Sequence, residues 1–300
     1  MIVITGATGK VGGKIAEILI NAGNKCRLIS RQASSLKSLG DKGAELYSCD
    51  LTNKESLIQV FNGASVVFSI IPGDFQSADI GKHQDIEGLN TIEAIKANGI
   101  KKVVFLSSVG GHSQEKSGIV AGLARQEIRL KELSGVDICI LRPTYFMENL
   151  YNNLHMIITN GINGSAILPD KAFPLIHTSD IAKVAAEKLS KPDFKGISIQ
   201  PLLGPRNYTM KEFTQVIGKA IGKPDLPYVH FSYDEVTNAM VQMGLSKSIS
   251  RAFAELAEGI NLGLFDYEKR TPDSTTPTTI EDFAVQFAQA YKIEVKTVSV

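Results

Sequence analysis

Residues 1–19 read MIVITGATGKVGGKIAEIL, and their order decides the fold. An apolar run enters at once, and three glycines follow at intervals of three: Gly6, Gly9 and Gly12. Beyond them Ile15, Ile18, Leu19 and Ala22 recur on one helical face up to Gly23. A strand therefore turns through a glycine loop into an amphipathic helix. Gly6 permits the tight turn, Gly9 lets backbone approach a diphosphate, and Gly12 lets helix and strand pack closely. The N–H groups and dipole at the helix start favour phosphate charge, which brings Thr8, Lys10 and Val11 into the same candidate site. A glycine triplet alone is weak evidence; its place between a strand and a helix is the confirming context.

The pattern repeats outward. KCRLISR (25–31), AELYSCD (44–50), SVVFSII (65–71), KKVVFLSS (101–108) and VDICILRP (136–143) read as five further strands. Helical periodicity lies between them at Lys54–Phe61, His83–Ala97 and Ala124–Leu133. Strands alternating with helices mean βαβ units, hence an α/β, doubly wound parallel sheet of the Rossmann kind. After Pro143 the regularity weakens. Residues 174–192 read as a short strand and a helix capped at Ser179 or Asp180; 195–204 read as a strand; 209–224, 232–244 and 278–292 read as helices. The expected organisation is a dinucleotide-binding core, 1–143, rejoined by about 174–203 and 263–300. Residues 144–173 and 204–262 then form a small, mostly helical lobe over the sheet's carboxyl edge.

A net charge of +1 without long single-sign runs leaves no electrostatic footprint for nucleic acid or an anionic membrane. The N-terminus lacks a basic region ahead of a cleavable apolar segment, and the apolar runs are too short to span a bilayer. Cys26, Cys49 and Cys139 are odd in number and widely spaced. They read as buried free thiols in a reducing cytoplasm, with no disulfide and no metal site expected.

An acidic residue at the end of the second strand would bind the ribose 2′-hydroxyl of NAD. The chain has Ser30, Arg31 and Gln32 there. A guanidinium pairs with a 2′-phosphate, so NADP(H) is favoured. At the end of the third strand Asp50 either accepts from the adenine amino group or caps the helix near Asn53, and Leu51 can pack on the ring. Ile70, Ile71 and Pro72 after the fourth strand, and Ser107 after the fifth, lie at the carboxyl edge where open α/β sheets bind ligands. One of the two isoleucines is expected in the core.

Several stretches together resemble the NmrA-like atypical short-chain dehydrogenase/reductase family. They are VITGATGKVGG, LISR, KKVVFLSSVG, SGVDICILRPTYFMENL, HTSDIAKVAAEKL, RNYTMKEFTQVIGKAIGKP and TTPTTIEDFAVQFAQAY, spread over nearly the whole chain. ILRPTYFMENL is the most specific; GATGKVGG is shared by many reductases and epimerases. The resemblance implies NADP(H) binding and a Rossmann domain with a small C-terminal lobe. It covers quinone-reductase-like and NADP-sensing members and does not fix one reaction.

Many members of the wider superfamily move a proton with a Tyr-x-x-x-Lys pair. None occurs between Phe105 and Glu132. Alcohol dehydrogenation and sugar epimerisation by that route are disfavoured. His112 and Tyr145 are catalytic candidates. Lys116 reads as a loop residue of the same kind as His112, and Arg125 reads as near the cofactor or as a solvated helix-face residue. His177 reads as part of a helix cap. Pro143 forces an extended path, which puts Thr144, Tyr145, Phe146 and Asn149 at the mouth of a pocket where aromatic rings can stack on a flat acceptor or pack under the lobe. Hydride transfer to an electrophilic acceptor needs positioning more than a poised acid. The expected activity is NADPH-dependent reduction of quinone-like or other small electrophilic acceptors. The alternative is a non-catalytic NADP(H) redox sensor acting through a regulatory protein partner. A homodimer is left open.

Overall fold

The computed structural model of the chain describes residues 1–298. The first half contributes β1 (Ile2–Thr5), β2 (Cys26–Ser30), β3 (Glu45–Ser48), β4 (Val66–Ser69), β5 (Lys102–Leu106) and β6 (Asp137–Pro143). The second half adds β7 (Tyr145–Phe146), β8 (Asn163–Ser165), β9 (Phe173–Ile176), β10 (Ile197–Leu202), β11 (Asn207–Tyr208) and β12 (Tyr228–His230). Seven strands form one parallel sheet in the order β10-β6-β5-β4-β1-β2-β3. The chain winds one way from β1 and the other way from β4, so the order reverses between those neighbours. That reversal opens a crevice at their carboxyl ends.

Between strands run α1 (Gly12–Asn21), the single turn α2 (Lys37–Gly40), α3 (Lys54–Val60), α4 (Ile80–Ala97) and α5 (Val120–Lys131). Then come α6 (Leu154–Thr159), α7 (Thr178–Ser190), α8 (Met210–Ala220), α9 (Tyr233–Gln242), α10 (Lys247–Asn261) and α11 (Ile280–Val298). Strand side chains alternate between faces. Ile2 and Ile4 meet Ile15, Leu19, Ile181 and Ala185 of α1 and α7 in one core cluster. Val3, Val67 and Phe105 meet Leu57, Ile95 and Leu130 of α3, α4 and α5 in another. Phe68 and Phe105 are fully enclosed, and truncating either to alanine would cost about 3–5 kcal/mol.

A third cluster belongs to the C-terminal lobe. Met147, Tyr208, Phe213, Ile260, Phe283 and Phe287 meet there. Helix α11 thus packs on α8 and α6 rather than rejoining the sheet as the expected 263–300 segment would, because its Phe283 and Phe287 face the lobe's aromatic residues. The last two residues of that segment lie outside the described residues. Strand β9 also pairs within the lobe, between β11 and β7, while β10 alone joins the main sheet from the later segment.

Several helix starts differ from expectation; α5, for one, begins at Val120 rather than Ala124. Helix α4 begins at Ile80, since the Asp79 carboxylate accepts from Lys82 N–H at 3.0 Å. Helix α7 is capped by His177, whose Nδ1 accepts from Ser179 N–H at 3.2 Å, and not by Ser179 or Asp180. Asp180 instead accepts from Thr278 N–H and Oγ1, at 3.0 and 2.9 Å, and so anchors the approach to α11. All three cysteines are buried and free, and burial pushes the Cys26 thiol up to about 11. Among the described residues no helix is long and apolar enough to cross a membrane.

Candidate functional site

The site is built at the β1/β4 reversal. The buried Thr5 hydroxyl donates to Phe68 O at 3.2 Å and accepts from Ile70 N–H at 3.1 Å, stitching the two strand ends together. Gly6 then adopts φ +66°, and Gly9 N–H donates to Gly6 O at 2.9 Å, closing the turn. Gly12 presses so closely on the Gly6 carbonyl that a side chain there would collide with it. Val11 precedes α1 with no side-chain cap, and the first turn of α1 carries no acidic residue. A helix end with uncapped N–H groups, approached by side-chain-free backbone, fits a phosphate group.

Beside this loop, Arg31 is exposed just beyond β2, and its main-chain carbonyl accepts from Ser48 Oγ at 2.8 Å. Asp50 accepts from Thr52 N–H and Oγ1, at 2.8 and 2.7 Å. The Thr52 hydroxyl, more than the nearby Arg31 charge, holds the Asp50 carboxyl below the usual range against the effect of burial. Asp50 does not cap α3; Asn53 does, accepting from Ser56 N–H at 2.9 Å. Leu51 is buried in the second core cluster.

After β4, Ile70 is half-buried at the edge, Ile71 is core, and Pro72 is exposed. The next residue, Gly73, donates its N–H to Glu87 Oε2 of α4 at 3.1 Å. Glu87 is buried, and burial pushes its carboxyl up; His83 lies 3.4 Å away. Sequence reasoning missed this carboxylate, which anchors the loop.

Ser107 is placed differently from expectation. It is buried, and its hydroxyl donates to Glu127 Oε1 of α5 at 2.6 Å. Glu127 is also met by Arg142 Nε at 2.9 Å, Arg142 Nη2 at 2.6 Å and Lys131 at 3.1 Å. With Ser107 committed inward, half-buried Leu106 at the end of β5 and Ser108 just beyond it are left at the edge. Neither was singled out as a lining residue. Ser108 Oγ lies 3.5 Å from Pro143 O.

The four residues after β6 separate. Thr144 is buried and donates to Pro174 O at 2.7 Å, tying the lobe to the sheet rather than lining a pocket. In β7, Tyr145 and Phe146 point opposite ways, as strand geometry requires. Tyr145 packs edge-on against Phe173, ring centres 5.7 Å apart, in the lobe cluster. Burial pushes its phenol up to about 12, against a hydrogen bond with Asn149. Phe146 packs on the sheet cluster that also collects Ile70 and Leu106.

His112 is exposed and stacks on Tyr267. Lys116 pairs with Glu258 of α10. Arg125 turns to α4, bonding Asp85 at 2.7 Å and Gly81 O at 3.1 Å, which takes it away from the crevice. Lys10 Nζ donates to Glu148 O at 3.1 Å, and Lys14 Nζ to Thr178 Oγ1 at 2.7 Å. Lys14 Nζ also lies 3.4 Å from Glu148 Oε1, so the two lysines join the glycine loop and α1 to the lobe through Glu148.

Residues 1–284 match the model of the NmrA-like family. The NAD(P)H azoreductase of Xenophilus azovorans is 26% identical over 256 residues, spanning 85% of this chain and 86% of its own. An NADPH-dependent quinone oxidoreductase from Escherichia coli, solved with NADPH, superposes with a TM-score of 0.80 at 22% identity, over 96% of this chain and 99% of its own. A triphenylmethane reductase from Citrobacter sp., solved with NADP(H), gives 0.81 at 18% identity, over 96% and 100%. These two structures support the fold, and the family match supports the lineage: the chain belongs to the NmrA-like family.

Proposed function

We propose that the protein binds NADP(H) and reduces small, flat, easily reduced acceptors of the quinone or dye type. The observation that carries this is the uncapped, glycine-lined start of α1 at the strand-order reversal, with exposed Arg31 where NAD-binding chains need a carboxylate. The relatives named as an azoreductase, a quinone oxidoreductase and a triphenylmethane reductase support the choice of acceptor class.

In this reading Gly6, Thr8, Gly9, Lys10, Val11 and Gly12 hold the diphosphate, and Arg31 holds the 2′-phosphate. Leu51 and Asp50 flank the adenine. Ile70, Pro72, Leu106 and Phe146 offer an apolar edge to the nicotinamide, with Ile71 and Ser107 supporting it from behind. When bound, the reduced nicotinamide would supply a hydride to the acceptor; a quinone oxygen or azo nitrogen would take its proton from water, whereas a triarylmethane cation would be neutralised by the hydride alone. The chain's own task is orientation and exclusion of water. Tyr145, its phenol pushed up by burial and hydrogen-bonded to Asn149, stays protonated and braces the lobe behind Phe146 rather than acting as a base.

The test is NADPH oxidation by the pure protein with a panel of menadione, 1,4-benzoquinone, an azo dye and a triarylmethane dye. Acceptor-dependent loss of NADPH is expected. Tight nucleotide binding with every acceptor inert would favour the regulatory reading, in which the nucleotide reports its redox state to a protein partner.

A further inference from the structure

The stretch GLFDYEKR, residues 263–270, follows α10 and crosses the loop after β5. It is fastened along its length. The Phe265 ring occupies the space that a side chain on Gly110 would need. Asp266 pairs with Lys171 at 2.7 Å. Glu268 pairs at 2.7 Å with Arg142, the buried guanidinium that also holds Glu127. Arg270 bonds Leu203 O and Asn207 Oδ1, both at 3.0 Å.

Between these fastenings stands Tyr267. Its ring stacks on His112 with centres 4.2 Å apart and planes 24° from parallel. Yet Tyr267 is 65% exposed, so one ring face is used and much of the ring is open. The stack lies by the carboxyl ends of β5 and β6: Val109 N–H, three residues ahead of His112, donates to Pro143 O at 2.9 Å, and Glu268, next to Tyr267, pairs with Arg142 of β6. A large aromatic ring held open at the carboxyl edge of a doubly wound sheet is placed to meet a ligand, and an offset stack on a flat conjugated ring is its favoured contact.

We infer that Tyr267 is a specificity-determining residue: with His112 it forms an aromatic wall that selects flat acceptors, and Glu268, gripped by Arg142, is the positioning residue that sets the wall. This rests on the reductase reading above. It goes further by naming residues that neither the glycine loop nor the stretch after β6 contains. Arg142 thereby connects the buried Ser107–Glu127 pair to the segment that carries Tyr267, through Glu268.

The experiment compares the full-length protein with Tyr267→Ala, Tyr267→Phe, Glu268→Ala and Glu268→Gln. Steady-state constants are measured for NADPH, fused-ring menadione and small 1,4-benzoquinone. In parallel, menadione binding to the NADP+-loaded protein is measured by equilibrium dialysis. Tyr267→Ala is expected to raise the menadione KM and Kd by about 3–10-fold. It should change benzoquinone less and leave the NADPH KM within twofold, while Tyr267→Phe should keep wild-type values. Glu268→Ala should mimic Tyr267→Ala, and Glu268→Gln, which preserves a hydrogen bond to Arg142, should restore most of the difference. A purely structural role would lower the melting temperature and depress all acceptors alike, which overturns the positioning assignment. So would wild-type menadione constants in Glu268→Ala. Turnover with equal menadione KM in wild type and Tyr267→Ala overturns the inference and leaves the reductase reading standing. Absent turnover with menadione binding that weakens in Tyr267→Ala does the reverse. If the wild type neither binds nor reduces menadione, both fall.

Discussion

In the proposed reading, Arg31 is the one exposed side chain that would decide between two nearly identical nucleotides. It follows β2, next to the glycine loop, and is itself followed by Gln32 with no carboxylate to repel a 2′-phosphate. A charge-assisted hydrogen bond of this kind is worth about 1.5–3 kcal/mol. Arg31→Ala should therefore weaken NADPH about 10–100-fold while leaving NADH nearly unchanged. Isothermal calorimetry with both nucleotides checks this, and equal losses for the two would remove the arginine from the 2′-phosphate site. Ser107 shows the opposite case. Its residue type and its place after β5 suggest a ligand contact, but its hydroxyl is committed as a hydrogen-bond donor to the Glu127 carboxylate.

Helix α4 organises the crevice from one side. Glu87 anchors Gly73 of the loop after β4, and Gln84 Nε2 donates to Ile119 O at 2.9 Å in the loop after β5. Asp85, between them, joins α4 to α5 through Arg125 at 2.7 Å and Arg129 at 2.5 Å. Burial pushes the Asp85 carboxyl up, but the hydrogen bonds from the two guanidinium groups outweigh it and hold the carboxyl below its usual range. A depressed folded-state value means that the pair stabilises fully above the unfolded carboxylate pKa of about 3.9, and that the contribution is lost as pH falls through the lower folded value. Because Asp85 is partly solvated, its contribution is modest, about 1 kcal/mol, and salt-sensitive. Asp85→Asn should melt about 2–4 °C below wild type at pH 7. The gap should narrow in scans taken below about pH 4; a gap independent of pH would assign the loss to packing. Glu87 has the opposite sign. Its carboxyl is raised by burial, so its contribution to stability declines as pH rises through the folded value.

Two assemblies meet across the crevice, the wound sheet and the aromatic lobe, and polar contacts hold them in register. Glu148 is buried between them, accepting from Thr178 N–H at 3.0 Å and facing Lys14 at 3.4 Å, while its carbonyl receives Lys10. Burial holds the Lys10 ammonium below its usual range. Lys10 thus belongs to the glycine loop and to the lobe contact at once. NADP+ should slow hydrogen exchange severalfold both in residues 6–13 and in residues 147–153. In Lys10→Ala the first effect should persist and the second should shrink. Unchanged protection of residues 147–153 in the variant would show that the lobe responds by another route.

The sequence by itself determined the α/β class, the doubly wound strand run and the nucleotide loop. Those depend on local patterns: alternating or continuous apolar strands, one helical stripe, and glycines where a turn at φ +66° and a near collision with the Gly6 carbonyl exclude side chains. Tertiary structure alone decided that α11 packs into the lobe, that Phe146 and not Tyr145 joins Ile70 and Leu106, and that Arg142 reaches Glu268 across 126 positions of chain. The direction of a side chain and the partner of a buried charge follow from which surfaces are pressed together. Spacing along the chain carries no record of that.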